Sequence, residues 1–128
     1  MPTITVGVDE ADPTIRRVAV QGEIDIALAG GLQSGLAEAS DGSGTVVIVD
    51  LSECLFIDSR GLSTLLNAAR GLTRSGGALA VVCPNPTPLR VFKITSTDDT
   101  LNVAPTEEEA RALALEWRAR LAASASDE

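Results

Sequence analysis

The sequence predicts an α/β fold: a mixed, mostly parallel central β-sheet of about four to five strands, with helices packed against it. Three observations carry that prediction. Thr45-Val-Val-Ile-Val-Asp50 and Ala78-Leu-Ala-Val-Val-Cys83 are short continuous apolar runs, the pattern of strands covered on both faces. Leu62, Leu65, Leu66, Ala69 and Leu72 recur at helical spacing between them. Strand and helix patterns thus alternate through the middle of the chain, which implies parallel pairing through right-handed crossovers.

Each element has its own signal. Ile4, Val6 and Val8 alternate with Thr3, Thr5 and Gly7, the period of a strand with one buried face. Asp9-Glu-Ala-Asp-Pro13 is a turn, and Arg17-Val-Ala-Val-Gln21 is a second strand that completes a hairpin. Leu28, Leu32, Leu36 and Ala39 then follow at helical spacing, with Asp25 placed as an N-cap and Gly30-Gly31 weakening the helix. Ser40-Asp-Gly-Ser-Gly44 breaks the chain before the first buried run, and Ser75-Gly-Gly77 breaks it before the second. Pro84-Asn-Pro-Thr-Pro88 bends the chain into a short helical segment around Leu89, Val91, Phe92 and Ile94. Thr100-Leu-Asn-Val-Ala104 is expected as a short edge strand. Thr106-Glu-Glu-Glu109 supplies a capping box and an acidic first turn, and Ala110, Leu113, Trp117 and Leu121 are expected to form the buried stripe of a last helix. Residues 1–122 are read as one domain, followed by a frayed tail over 123–128.

Composition removes several classes of function. The 128 residues carry a formal net charge of −8, and the ten basic residues form no cluster, so nucleic acid and anionic membrane surfaces are not expected as partners. There is no histidine, and Cys54 and Cys83 are too few and too isolated for a metal site. No cofactor is expected. Each cysteine reads first as a small buried apolar residue. The N-terminal residues have no basic segment followed by a long apolar core, and no run approaches a membrane span, so a cytoplasmic protein is expected.

The most informative stretch runs from Asp50 to Leu66. A buried run ends in polar residues, and Leu55, Phe56 and Ile57 then deliver Asp58-Ser59 to the start of an amphipathic helix. Those three apolar residues could supply apolar surface for a partner, but at least two of them are expected in the core. A Ser or Asp in that place is first of all a cap, worth about 1 kcal/mol. It also lies beyond the end of a buried strand, where open α/β sheets place binding sites. Unpaired N–H groups and the helix dipole favour negative charge there, so phosphate or a phosphorylated side chain suits the position.

Gly22-Glu-Ile-Asp25, Val47-Ile-Val-Asp-Leu51, Phe56-Ile-Asp-Ser-Arg-Gly-Leu62, Gly76-Gly-Ala-Leu-Ala-Val-Val82 and Thr106-Glu-Glu-Glu-Ala110 occur in that order. Together they make a chain that resembles the STAS domains of anti-sigma factor antagonists over about residues 3–122. The resemblance implies the STAS fold and a partner-switching regulator rather than an enzyme. It implies that Ser59 is phosphorylated by an anti-sigma factor that is also a serine kinase. The unphosphorylated form would hold that kinase and free a sigma factor for transcription, and a phosphatase would reset the cycle. Asp25, Asp58, Ser59, Arg60, Gly61, Leu62 and Ser63 would form the partner-binding surface. Asp58 would orient the Ser59 hydroxyl, and Gly61 would let the partner approach closely. Asp25 remains equally a plain N-cap. Ser63 and Thr64 read first as solvated helix hydroxyls and second as further acceptors. A monomer and a homodimer are both compatible with the sequence.

One residue departs from the family pattern. The position after Asp-Ser usually holds a small residue, and here it is Arg60, whose guanidinium would pair with a phosphate on Ser59 or alter which kinase docks. The alternative to a switch is a constitutive STAS scaffold, for example a small subunit of a lipid-transport ATPase. A hydrolase using Ser59 is disfavoured, because there is neither a histidine nor a Gly-x-Ser-x-Gly element around it.

Overall fold

The computed structural model describes residues 3–22 and 26–126. The chain order is β1 (Thr3–Val8), β2 (Ile15–Gln21), α1 (Ile26–Ala39), β3 (Val46–Glu53), α2 (Ser59–Arg74), β4 (Ala78–Val82), α3 (Pro86–Ile94), β5 (Val103–Ala104) and α4 (Glu107–Ser126). The strands form one sheet in the order β1-β2-β3-β4-β5. β1 is antiparallel to β2, with Thr3 opposite Gln21, and every other neighbouring pair is parallel. The mixed, mostly parallel sheet expected from the sequence is therefore present. Its edge strand is shorter than expected: only Val103 and Ala104 pair, because the residues before them are drawn into turns, with the Val103 N–H donating to the Asp98 carbonyl at 2.9 Å.

Side-chain alternation along the strands sorts the core into two layers. Val18, Val20, Val47, Val49, Leu51, Leu79 and Val81 join Leu32 and Leu36 of α1, Leu62, Leu65, Ala69 and Leu72 of α2, and Phe92 of α3 in one cluster. The opposite face presents Ile15, Val46, Ile48, Ala78, Ala80, Val82 and Ala104 to Ala110 and Ala114 of α4. Each fully buried Val, Leu or Phe contributes about 1.5–3 kcal/mol. The first layer, rich in large side chains, therefore carries more of the stability than the alanine-rich second.

That difference corrects the stripe expected for α4. Leu113 is exposed, while Ala110 and Ala114 are fully buried and Leu115 and Trp117 pack partly against the cluster. The sheet offers α4 three alanines, at 78, 80 and 104, so the helix settles close and turns its own small residues inward. α4 is further held to β2 by a bidentate pair, Arg17 Nε and Nη2 donating to Glu107 Oε1 and Oε2 at 2.7 and 2.6 Å. Arg111 also lies 3.3 Å from Asp9, in the β1–β2 turn.

Close approach decides two glycines. α1 continues through Gly30-Gly31, and a Cβ on Gly35 would meet Ile4 Cγ2 at 3.0 Å and Val6 Cγ2 at 3.6 Å. At Gly77 a Cβ would fall 2.0 Å from the Thr45 carbonyl oxygen, the acceptor for the Ala78 N–H. The backbone there passes β3 too closely for any side chain.

Candidate functional site at the start of the second helix

β3 is buried or half-buried until Ser52 and Glu53, and the loop beyond it is short and well braced. The Asp50 carboxylate accepts from the Ser52 N–H at 2.9 Å and also from the Ser52 hydroxyl. The Cys54 N–H donates to the Leu51 carbonyl at 3.0 Å, and the Cys54 thiol donates to the Phe56 carbonyl at 3.1 Å. Asn85 fastens the loop from the neighbouring crossover: its Nδ2 donates to the carbonyls of Ser52 and Cys54 at 2.9 and 3.0 Å. The Gly22 N–H donates to the Glu53 carbonyl at 3.1 Å, which brings the end of β2 to the same corner.

This bracing sets the loop's in-and-out pattern. Cys54 and Ile57 are buried, whereas Leu55 and Phe56 are 67% and 42% exposed. The expectation that at least two of Leu55, Phe56 and Ile57 lie in the core is therefore corrected: only Ile57 does. A loop of this length tied at Ser52, Cys54 and Asp58 has room to bury its two ends and turns the middle outward.

Asp58 is the N-cap of α2, with extended backbone, and its Oδ1 accepts from the N–H groups of Arg60 and Gly61, each at 3.0 Å. The Leu62 N–H donates to the Asp58 carbonyl at 3.0 Å. Ser59 is the first helical residue, is exposed, and has a hydroxyl with no hydrogen-bond partner among the described residues. Two of the N–H groups that would have received a phosphate are thus already occupied by the Asp58 carboxylate. A charge placed on the exposed Ser59 would lie beside a carboxylate, with the exposed Arg60 as the adjacent cation in sequence.

The remaining sequence-predicted residues divide. Ser63 is exposed and Thr64 is half-buried, its hydroxyl donating to the Arg60 carbonyl at 2.8 Å. Gly61 is buried, and Leu62 belongs to the core cluster, so it supports the surface from beneath and presents no side chain to a partner. Asp25 lies outside the described residues. Leu55 and Phe56, which the sequence offered only second as partner surface, are exposed beside the site, and Asn85 is the member that sequence reasoning did not assign. The Pro-Asn-Pro context of Asn85 was its one signal.

No group of His, Cys, Asp or Glu among the described residues is arranged to hold a metal ion. Cys54 and Cys83 are both buried in the core beneath the loop and are not joined to each other in a disulfide. Burial pushes Cys83 up to about 11, with the nearby Cys54 adding to the effect, so it is a neutral thiol near pH 7. Among the described residues no helix is long and apolar enough to cross a membrane.

A family model described as the STAS domain matches residues 8–110. An anti-sigma-B factor antagonist of Listeria monocytogenes is 27% identical over 106 residues, covering 83% of this chain and 93% of the relative. The crystal structure of an anti-sigma factor antagonist from Mycobacterium paratuberculosis superposes with a TM-score of 0.76 at 28% identity, over 89% of this chain and 94% of that one. A putative anti-sigma factor antagonist from Thermotoga maritima shares the fold, with a TM-score of 0.75 at 22% identity over 87% and 93% of the two chains. With the five-stranded mixed sheet, the Asp58-Ser59 helix start and a family match over most of its length, the chain belongs to the STAS domain family.

Proposed function

We propose that this protein is an anti-sigma factor antagonist, a binding regulator rather than an enzyme, switched by phosphorylation of Ser59. In this reading the unphosphorylated surface holds an anti-sigma factor that is also a serine kinase, and so frees a sigma factor. Phosphate transfer to Ser59 releases the kinase, and a phosphatase restores the binding form. The carrying observation is the exposed Ser59 at the first position of α2, beside an Asp58 carboxylate already engaged by the Arg60 and Gly61 N–H groups. The names of relatives from Listeria monocytogenes and Mycobacterium paratuberculosis support the same reading.

The physics of release follows from that geometry. A phosphate adds a charge of about −1.5 to −2. With two helix N–H groups taken by Asp58, the new charge projects toward the partner, and repulsion with desolvation cost weakens the complex. Arg60 pairs with part of that charge and sets how complete the release is.

The proposed partner surface comprises Asp58, Ser59, Arg60 and Ser63, and Asp25 is assigned to it on the sequence pattern alone. Leu55 and Phe56, exposed just before the cap, add the apolar contact that such an interface places at its centre. Arg60, exposed beside Ser59, gives this surface a cation that an acidic group of the partner would complement.

With the anti-sigma kinase and ATP, wild type is expected to take up one phosphate and Ser59→Ala none. Ser59→Asp is expected to bind the kinase at least about tenfold more weakly, a difference of about 1.4 kcal/mol. Equal phosphate uptake by Ser59→Ala would remove Ser59 from the switch. Unchanged affinity of Ser59→Asp would leave a non-switching scaffold, such as a subunit of a lipid-transport ATPase.

A further inference from the structure

At the far end of α2 a second feature stands apart from Ser59. At about 1.5 Å per residue, Arg70 and Arg74 lie roughly 16–22 Å along the helix from it. There the last turns of α2, the loop before β5 and the middle of α4 border a cavity of about 320 Å³ lined by Ala69, Arg70, Thr73, Arg74, Thr100 and Trp117. Trp117 is the only tryptophan of the chain, and its indole N–H donates to Thr73 Oγ1 at 3.3 Å, which holds the ring in place. The Arg120 guanidinium carbon lies 5.7 Å from the centre of that ring.

Three guanidinium groups gather around this one place. Among the described residues, Arg17 and Arg111 are paired with carboxylates, while Arg70, Arg74 and Arg120, like Arg16, Arg60, Arg90 and Arg118, have none within ion-pair distance and are open to an added anion. The Arg70 guanidinium donates through Nη1 to the neutral Asn67 Oδ1 at 3.4 Å. Arg74 also complements the negative end of α2, but Arg70 and Arg120 sit a turn or more inside their helices, where that effect has faded. Two uncompensated guanidinium groups therefore line one aromatic cavity, and a third lies over its tryptophan, in a chain of net charge −8.

We propose that this cavity binds a small organic anion with an apolar body, a carboxylate on a short hydrocarbon chain. Guanidinium forks match a carboxylate in bidentate geometry. The indole face, the Ala69 and threonine methyls and the arginine stems give walls that a bare inorganic ion would leave wet. The volume is near the lower end of small-molecule sites, about 300–1,000 Å³, which restricts the body to a short chain. The proposal is independent of the reading of Ser59.

Trp117, being the only tryptophan, reports on the site directly. Titration of the full-length protein with octanoate is expected to change its tryptophan fluorescence saturably, with 1-octanol and inorganic phosphate each at least about tenfold weaker. Octanoate binding is expected to weaken at least about tenfold in an Arg70→Gln/Arg74→Gln variant whose circular dichroism matches wild type. Absence of a saturable change with octanoate would overturn the proposal. Binding of 1-octanol or phosphate as tight as octanoate, or undiminished binding by the folded double variant, would overturn it equally.

Discussion

Asp58 and Ser59 are neighbours with opposite environments. The Asp58 carboxylate spends its hydrogen-bonding capacity on the Arg60 and Gly61 N–H groups, while the Ser59 hydroxyl stands in solvent. Asp58→Ala is therefore expected to lower unfolding free energy by about 1 kcal/mol, and Asp58→Asn by much less, since asparagine caps equally well. Urea denaturation of the two variants checks this, and equal losses would mean that the carboxylate charge rather than the cap is what matters. The cap was legible from the sequence because Asp and Ser before an apolar helical stripe have few other uses. The orientation of Leu55 and Phe56 was not. Four consecutive apolar or small residues, Cys54 to Ile57, carry no periodicity, and only the ties from Asn85 and the Cys54 thiol decide which of them face inward.

At the scale of elements, the stripe of α2 is plain in the sequence because its Leu and Ala residues meet a sheet face of large side chains. The stripe of α4 was misread at Leu113, because helical periodicity tolerates a shift of one position and alanine is ambiguous between core and surface. Its partner surface resolves the ambiguity. Ala114 faces a sheet whose residues there include Ala78 and Ala80, leaving no room for a larger side chain. Ala114→Leu is expected to destabilise by about 1–3 kcal/mol through overpacking. Leu113→Ala is expected to cost less than about 1 kcal/mol, since that side chain is already 37% exposed. Thermal or urea unfolding of the pair decides the register of the helix: a reversed order of losses would place Leu113 inward.

At the scale of the whole molecule, the two faces of the sheet serve different ends. α4 closes one face with small residues and ion pairs to β2 and the first turn, and carries Trp117 to the far end of the sheet. The α1–α3 face builds the larger core and ends in the loop that presents Leu55, Phe56 and Ser59. If the proposed anti-sigma kinase docks here, a Leu55→Ser/Phe56→Ser variant is expected to keep the wild-type melting temperature while losing at least about tenfold in affinity for it, the loss typical of truncating central apolar contacts. Calorimetric titration and a melting curve on the same sample check both halves. Wild-type affinity would show that the apolar pair lies outside the interface.

The sequence alone determined the order of elements, the mixed sheet, the α2 stripe and the position of Asp58-Ser59, because each rests on local rules: periodicity, breakers, caps and strand length. Only the tertiary structure decided the relations between segments distant in the chain. Asn85 bracing the β3–α2 loop, the alanine face that turns α4, the Thr45 carbonyl that admits only glycine at 77, and the gathering of Arg70, Arg74 and Arg120 around Trp117 all belong to that class. None has a period or a motif in the linear chain. Each exists because strands that pair side by side bring the ends of their crossovers to common corners. Asp58-Ser59 is therefore readable as a helix start, whereas the surface around it is assembled by the sheet.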